Sequence, residues 1–197
     1  MEFISHRINK VEDLIKLPKI YGVELDLRDL GDEIVISHDP YVGGERFEDY
    51  LKHYHHGTMI LNIKSERIEH RVLERIQKAD VKSYFFLDSS FPMIFLLSNS
   101  GESNIALRFS EYEGMDTIRN MAGRVKWVWV DCFTRFPLER ADFDEMKALG
   151  YKLCLVSPEL QGRDADIEAY KALCVERGIV FDAICTKTHN IARWESL

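Results

Sequence analysis

Residues 22–40 read GVELDLRDLGDEIVISHDP, two apolar runs joined at Gly31-Asp32, with Glu24 and Asp26 set into the first and His38-Asp39 closing the second. Near-continuous apolar runs of this length are strands covered on both faces. Side chains alternate along a strand with period two, so Glu24 and Asp26 project to the same face. Two carboxylates sharing one face repel each other unless a cation sits between them. Oxygen ligands of this kind suit a hard divalent ion, Mg2+ or Ca2+.

The same rhythm of apolar run and polar helical segment extends in both directions. Further runs are EFISH (2–6), TMILNIK (58–64), SYFFLD (83–88), NIALRF (104–109), VKWVWVD (125–131), YKLCLVS (151–157) and FDAICTK (181–187), which makes eight principal strands when 33–37 is counted as an extension of 22–27. Helical spacing marks 68–79, 91–99, 142–150 and 165–178, and two of these segments stop at a glycine. Strands alternating with helices predict an α/β fold, a compact (β/α)8 TIM barrel with short or missing early helices, in one domain over 1–197. A doubly wound open sheet is the structural alternative.

Composition narrows the function. The chain has 197 residues, 46% hydrophobic and 30% charged, with a formal charge of -7, a balance that disfavours a nucleic-acid partner. No run approaches the ~18 apolar residues of a membrane span and the N-terminus has no leader pattern, so a cytoplasmic protein without an integral membrane segment is expected. Cys132, Cys154, Cys174 and Cys185 lack CxxC spacing and read as reduced core thiols. The oligomeric state has no signature in the sequence.

Active sites of such barrels lie at the C-terminal ends of the strands. There the chain places His6-Arg7, Glu24-Leu25-Asp26, His38-Asp39 and Asn62-Ile63-Lys64, with Asp88 closing the fourth run. Two buried carboxylates held only for structure are costly, which favours metal binding over a structural pair satisfied by Arg7, Arg28 or Lys64. Two histidines flanking one acidic pair favour acid/base work over core roles.

In order and spacing, His6-Arg7, Glu24-x-Asp26, Gly31-Asp32, His38-Asp39-Pro40, LNIK at 61–64 and Ser90-Phe91 resemble the glycerophosphodiester phosphodiesterase family, barrels related to phosphatidylinositol-specific phospholipase C. The chain looks like a short, divergent member. The resemblance implies a metal-dependent phosphodiesterase acting on a small phosphodiester. His6 and His38 would be catalytic, Arg7 and Lys64 would bind the phosphate, and Glu24, Asp26 and Asn62, with Asp88 as a candidate, would hold Mg2+ or Ca2+.

The departures are specific. Ile8 stands where the family has glycine, the segment opening the first helix is the short INKVEDLIKL, and the insertion before the third strand shrinks to YVGGERFEDYLKHYHHG. Asn62 replaces an acidic ligand and brings a carbonyl oxygen without charge. Two rival functions follow: a non-catalytic phosphate-ligand binding barrel, suggested by Asn62, and a lyase or aldolase using Lys64 as a Schiff-base amine. His53-Tyr54-His55-His56 reads as solvated surface. Arg108, Glu111, Asp131, Ser157, Glu159 and Lys187 fall at later strand ends without a motif to rank them, and Trp127 and Trp129 give one strand an aromatic face that fits a filled interior.

Overall fold

The structure, a computed structural model, describes residues 1–195. The chain order is β1 (Glu2–Ser5), α1 (Val11–Lys16), β2 (Gly22–Leu30), β3 (Glu33–Ile36), β4 (Glu45–Arg46), α2 (Phe47–Leu51), β5 (Met59–Ile63), α3 (Glu69–Lys78), β6 (Tyr84–Leu87) and α4 (Phe91–Asn99). It continues with β7 (Ala106–Phe109), α5 (Met115–Asn120), β8 (Trp127–Val130), α6 (Arg140–Ala148), β9 (Lys152–Val156), α7 (Ile167–Glu176), β10 (Ala183–Thr186) and α8 (Ile191–Trp194). The fold is mixed α/β. It divides into two compact units, Ser5–Ser100 and Met1–Ile4 together with the residues from Gly101 on.

In the Ser5–Ser100 unit, β2 is the pivot. Its first half runs parallel to β5, which runs parallel to β6, and its second half turns back on β3 as an antiparallel hairpin. Glu33 pairs with Leu30, so Gly31 and Asp32 form a two-residue loop, and Gly31 takes φ +60, a left-handed value that costs glycine nothing. The run 33–37, expected as an extension of the strand before it, is therefore a returning partner. Gly44 has a different constraint: a Cβ there would lie 2.1 Å from the Ile36 carbonyl oxygen, so only glycine lets this loop pass β3.

In the other unit, β7, β8, β9 and β10 pair in parallel in that order. Every residue of β5 and β8 is buried, as strands covered on both faces require. Helices bury stripes at helical spacing: Glu69, Val72 and Ile76 on α3, and Ile167, Tyr170 and Cys174 on α7. The helices α1 and α2 have six and five residues, the shortness that the sequence led us to expect. Cys132, Cys154, Cys174 and Cys185 are buried free thiols. Among the described residues, no helix is long and apolar enough to cross a membrane.

Candidate active site

The polar residues singled out in the first half of the chain converge within the Ser5–Ser100 unit. Asp26 and Asn62 are register partners on the parallel strands β2 and β5, so their side chains leave the sheet side by side. Glu24 sits two residues earlier on the same face, 1% exposed. Asn62 Nδ2 donates to Glu24 Oε1 at 2.7 Å, and the Arg7 backbone N–H donates to Glu24 Oε2 at 2.8 Å. Burial, and then the neighbouring Asp26 charge, push the Glu24 carboxyl up to about 7, against the pull of Asn62, the Arg7 N–H and Lys64.

Basic side chains ring this pair. His6 Nε2 lies 3.7 Å from Glu24 Oε2, Arg7 Nε 3.7 Å from Asp26 Oδ2, and Lys64 Nζ 3.7 Å from Asp26 Oδ1 and 3.1 Å from Asp88 Oδ2. Asp88 thus joins the group through Lys64. Arg7 and Asp88 both take left-handed backbone, φ 54 and 58, at ~1–3 kcal/mol each for a residue with a Cβ, and such strain gathers at functional sites.

Two site oxygens stand out. Asp26 Oδ1 and Asn62 Oδ1 are buried and accept no hydrogen bond, an expensive state for polar atoms in a protein interior. With Glu24 they form an oxygen set of two carboxylates and one amide carried by adjacent strands. These are the donors a hard divalent cation takes, so the residues fit such an ion. Among the described residues no three His, Cys, Asp or Glu side chains are placed to hold a metal ion, and the amide oxygen of Asn62 is the third donor here.

His38 pairs at its ring with Asp39 and joins the cluster through its backbone. The ring, 41% exposed, meets Asp39 Oδ1 at 2.8 Å through Nδ1, and this contact holds the Asp39 carboxyl below the usual range. Its carbonyl oxygen accepts from Arg28 Nε (3.0 Å) and Nη2 (2.9 Å), while Arg28 Nη1 donates to the Lys64 carbonyl at 2.7 Å. Arg28 therefore does not pair with the buried carboxylates, one of the possibilities read from the sequence. It ties the end of β5 to the turn after β3.

Sequence reasoning missed three supports. Asn9 grips Asp26 twice, Nδ2 donating to Oδ2 (2.8 Å) and Oδ1 accepting the Asp26 N–H (3.0 Å). Tyr50 on α2 donates its hydroxyl to the Ile8 carbonyl at 2.8 Å, and Glu45 accepts the Val11 N–H at 2.7 Å. Ile8 itself, in place of the expected glycine, is buried and donates its N–H to the Glu24 carbonyl at 2.9 Å, while the left-handed turn falls on Arg7. No motif signals these residues; only the pairing of distant segments reveals them.

The remaining candidates have structural partners. In the other unit Arg108 bonds the buried Asp131, whose second oxygen accepts from Gln161 Nε2 and the Cys132 N–H, both at 2.8 Å. Ser157 and Thr186 donate to the buried Glu159, which also accepts the Lys187 N–H at 3.0 Å. Glu111 accepts the N–H groups of Phe133, Thr134 and Arg135; burial raises its carboxyl, but these and further hydrogen bonds outweigh it and bring the value to about 2. Trp127 and Trp129 are both buried. In the histidine run, His53 and His55 are exposed, but Tyr54 is buried and the half-buried His56 contacts the Leu17 carbonyl at 3.1 Å, which corrects the expectation of a wholly solvated surface.

No protein-family profile matches the chain, and no curated protein matches it in sequence. Solved structures do. A glycerophosphodiester phosphodiesterase from Agrobacterium tumefaciens superposes with a TM-score of 0.69 over 100% of both chains at 15% identity. A glycerophosphoryl diester phosphodiesterase from Parabacteroides distasonis gives 0.66 at 14% identity, over 99% of this chain and 86% of that one. The chain has the fold of the glycerophosphodiester phosphodiesterases.

Proposed function

We propose that the protein is a metal-dependent phosphodiesterase acting on a small glycerophosphodiester-like substrate, built on a compact (β/α)8 barrel. The observation that carries this reading is the pair of buried, unbonded oxygens, Asp26 Oδ1 and Asn62 Oδ1, beside Glu24 and inside a ring of His6, Arg7 and Lys64. Glu24, Asp26 and Asn62 would hold Mg2+ or Ca2+. When bound, the ion supplies Lewis-acid polarisation of a non-bridging phosphate oxygen.

The chain's own groups supply the rest. Arg7 and Lys64 bind the phosphodiester anion and neutralise charge that builds on its oxygens. His6, oriented by Glu24, and His38, oriented by Asp39, are the acid/base pair: one takes the proton of the attacking hydroxyl and the other gives a proton to the leaving oxygen. Asn9 and the Arg7 N–H leave the two carboxylates little freedom to turn. A Lys64 Schiff-base enzyme is the weaker reading, because Lys64 stands between Asp26 and Asp88, whereas an amine nucleophile is activated in an apolar pocket or next to another cation.

The test is a panel of phosphodiesters assayed with Mg2+, Ca2+ or chelator, with the His6→Ala protein as control. Chelator-sensitive cleavage lost in His6→Ala supports the reading. Borohydride trapping of a carbonyl substrate on Lys64, without phosphodiester cleavage, would replace it by the lyase.

A further inference from the structure

We infer that the divalent cation and the anionic substrate enter this cleft as a pair, each binding weakly alone and tightly in the presence of the other. The inference rests on the phosphodiesterase reading and deepens it, and it comes from Asn62 and from the charges around it.

Arg7, Asp26, Lys64 and Asp88 form a chain of contacts under 4 Å, and Glu24 joins it through the Arg7 N–H at 2.8 Å, so with neutral histidines and Glu24 ionised the cluster carries one net negative charge. Asn62 contributes an oxygen and no charge. A divalent ion arriving alone turns that single negative charge into a single positive one, next to an ammonium and a guanidinium that are already 3.7 Å from the Asp26 carboxylate. A phosphodiester monoanion arriving alone meets two buried carboxylates and a cluster that is already negative. Together the two ligands bring the cleft to neutrality, and the phosphate oxygen adds the anionic donor that Asn62 does not provide.

The buried oxygens give this a geometric basis. Asp26 Oδ1 faces Lys64 at 3.7 Å, outside hydrogen-bond range, and Asn62 Oδ1 accepts nothing, while Asn62 Nδ2 is committed to Glu24. Drawing Lys64 from Asp26 toward a phosphate would take a competing positive charge away from Asp26 Oδ1 and leave that oxygen to the cation. Coupling of this kind is reciprocal: the factor by which the anion tightens the cation must equal the factor by which the cation tightens the anion.

Calorimetry on the metal-stripped protein tests it without turnover. The probe anion is dimethyl phosphate, a phosphodiester that lacks a hydroxyl neighbour to attack its phosphorus. Mg2+ and Ca2+ are titrated with and without saturating dimethyl phosphate, and dimethyl phosphate with and without each metal. The expected result is a tightening of at least ~5-fold, equal in both directions. Asn62→Asp, which supplies the missing charge at the same position, should tighten metal binding in the absence of the anion and shrink the coupling factor. Should that variant fail to fold, Lys64→Gln removes a competing cation and should likewise tighten metal binding alone. Cation affinity that is the same with and without dimethyl phosphate, or a coupling factor unchanged in both variants, would overturn the inference and leave the phosphodiesterase reading to the turnover assay. Reciprocal coupling in a protein that cleaves no phosphodiester would sustain the inference for the cleft and remove the enzymatic reading.

Discussion

Replacing Glu24 by Gln in the metal-free protein should change the pH dependence of stability more than any other single substitution in the cleft. Burial and the Asp26 charge raise the Glu24 carboxyl from 4.5 to about 7. A folded state that binds a proton more tightly than the unfolded chain keeps that contribution below about pH 4.5. It loses the contribution as pH rises toward 7, and nothing further is lost above that. The interval from 4.5 to about 7, at ~1.4 kcal/mol per pH unit, amounts to about 3 kcal/mol. Glutamine carries no charge at any of these pH values, so the variant lacks this slope. Its amide cannot accept from both the Arg7 N–H and Asn62 Nδ2, and that pH-independent loss offsets the two curves without altering their divergence. Urea unfolding in chelator at half-unit steps from pH 5 to 8.5 measures the divergence. The wild type should lose up to ~3 kcal/mol relative to Glu24→Gln across that range. Parallel profiles would refute the account of Glu24 as a desolvated carboxylate pressed against Asp26.

Other expectations concern the groups around it. His6→Ala and His38→Ala should each lower turnover by ~100-fold or more while leaving calorimetric metal affinity nearly intact, and the double variant should lose no more than the worse single one. Near-normal turnover in either would remove that histidine from the mechanism. Arg28→Gln should speed amide hydrogen exchange over residues 38–44 and reduce turnover, since it loses the bonds to the His38 and Lys64 carbonyls, whereas unchanged exchange would deny the clamp. Asp88→Asn should weaken neither fold nor metal binding as Asp26→Ala does, because Asp88 reaches the cluster through Lys64; equal loss of metal affinity in both would make Asp88 a direct ligand. Glu111→Gln should be less stable than wild type near neutrality, and the gap should narrow as pH falls below about 4.5 toward 2.

The parts of this molecule that were legible in the sequence are those set by local pattern. Near-continuous apolar runs located β5 and β8, and α4 was expected at 91–99, where it lies. The one-residue gap between Glu24 and Asp26, and between Asn62 and Lys64, placed the members of each pair on one face of the strand pattern, and the β2–β5 register brings the two pairs together. What the sequence hid depends on segments distant in the chain. Asn9 is an ordinary loop residue until β2 comes alongside it, and Arg28 reads as a partner for carboxylates until the β2–β3 hairpin aims it at two carbonyls. The extension 33–37 was misread as a continuation because a two-residue turn at Gly31-Asp32 reverses the chain within an unbroken strand pattern. The later candidates, Asp131, Glu159 and Glu111, show the limit of strand-end logic. A carboxylate there can spend its oxygens on backbone N–H groups and neighbouring side chains, and only the bonds tell these from a site.

The central claim is that Glu24, Asp26 and Asn62 serve a divalent ion in phosphodiester cleavage. Phosphorus-31 NMR of a glycerophosphodiester incubated with the protein tests it most directly, with Mg2+ or Ca2+, with chelator, and with metal restored after chelation. The account predicts a phosphodiester resonance replaced by a phosphomonoester or cyclic phosphate only when metal is present, recovered on restoration and absent with Asp26→Asn. Cleavage that proceeds unchanged in chelator, or at full rate in Asp26→Asn, would contradict it.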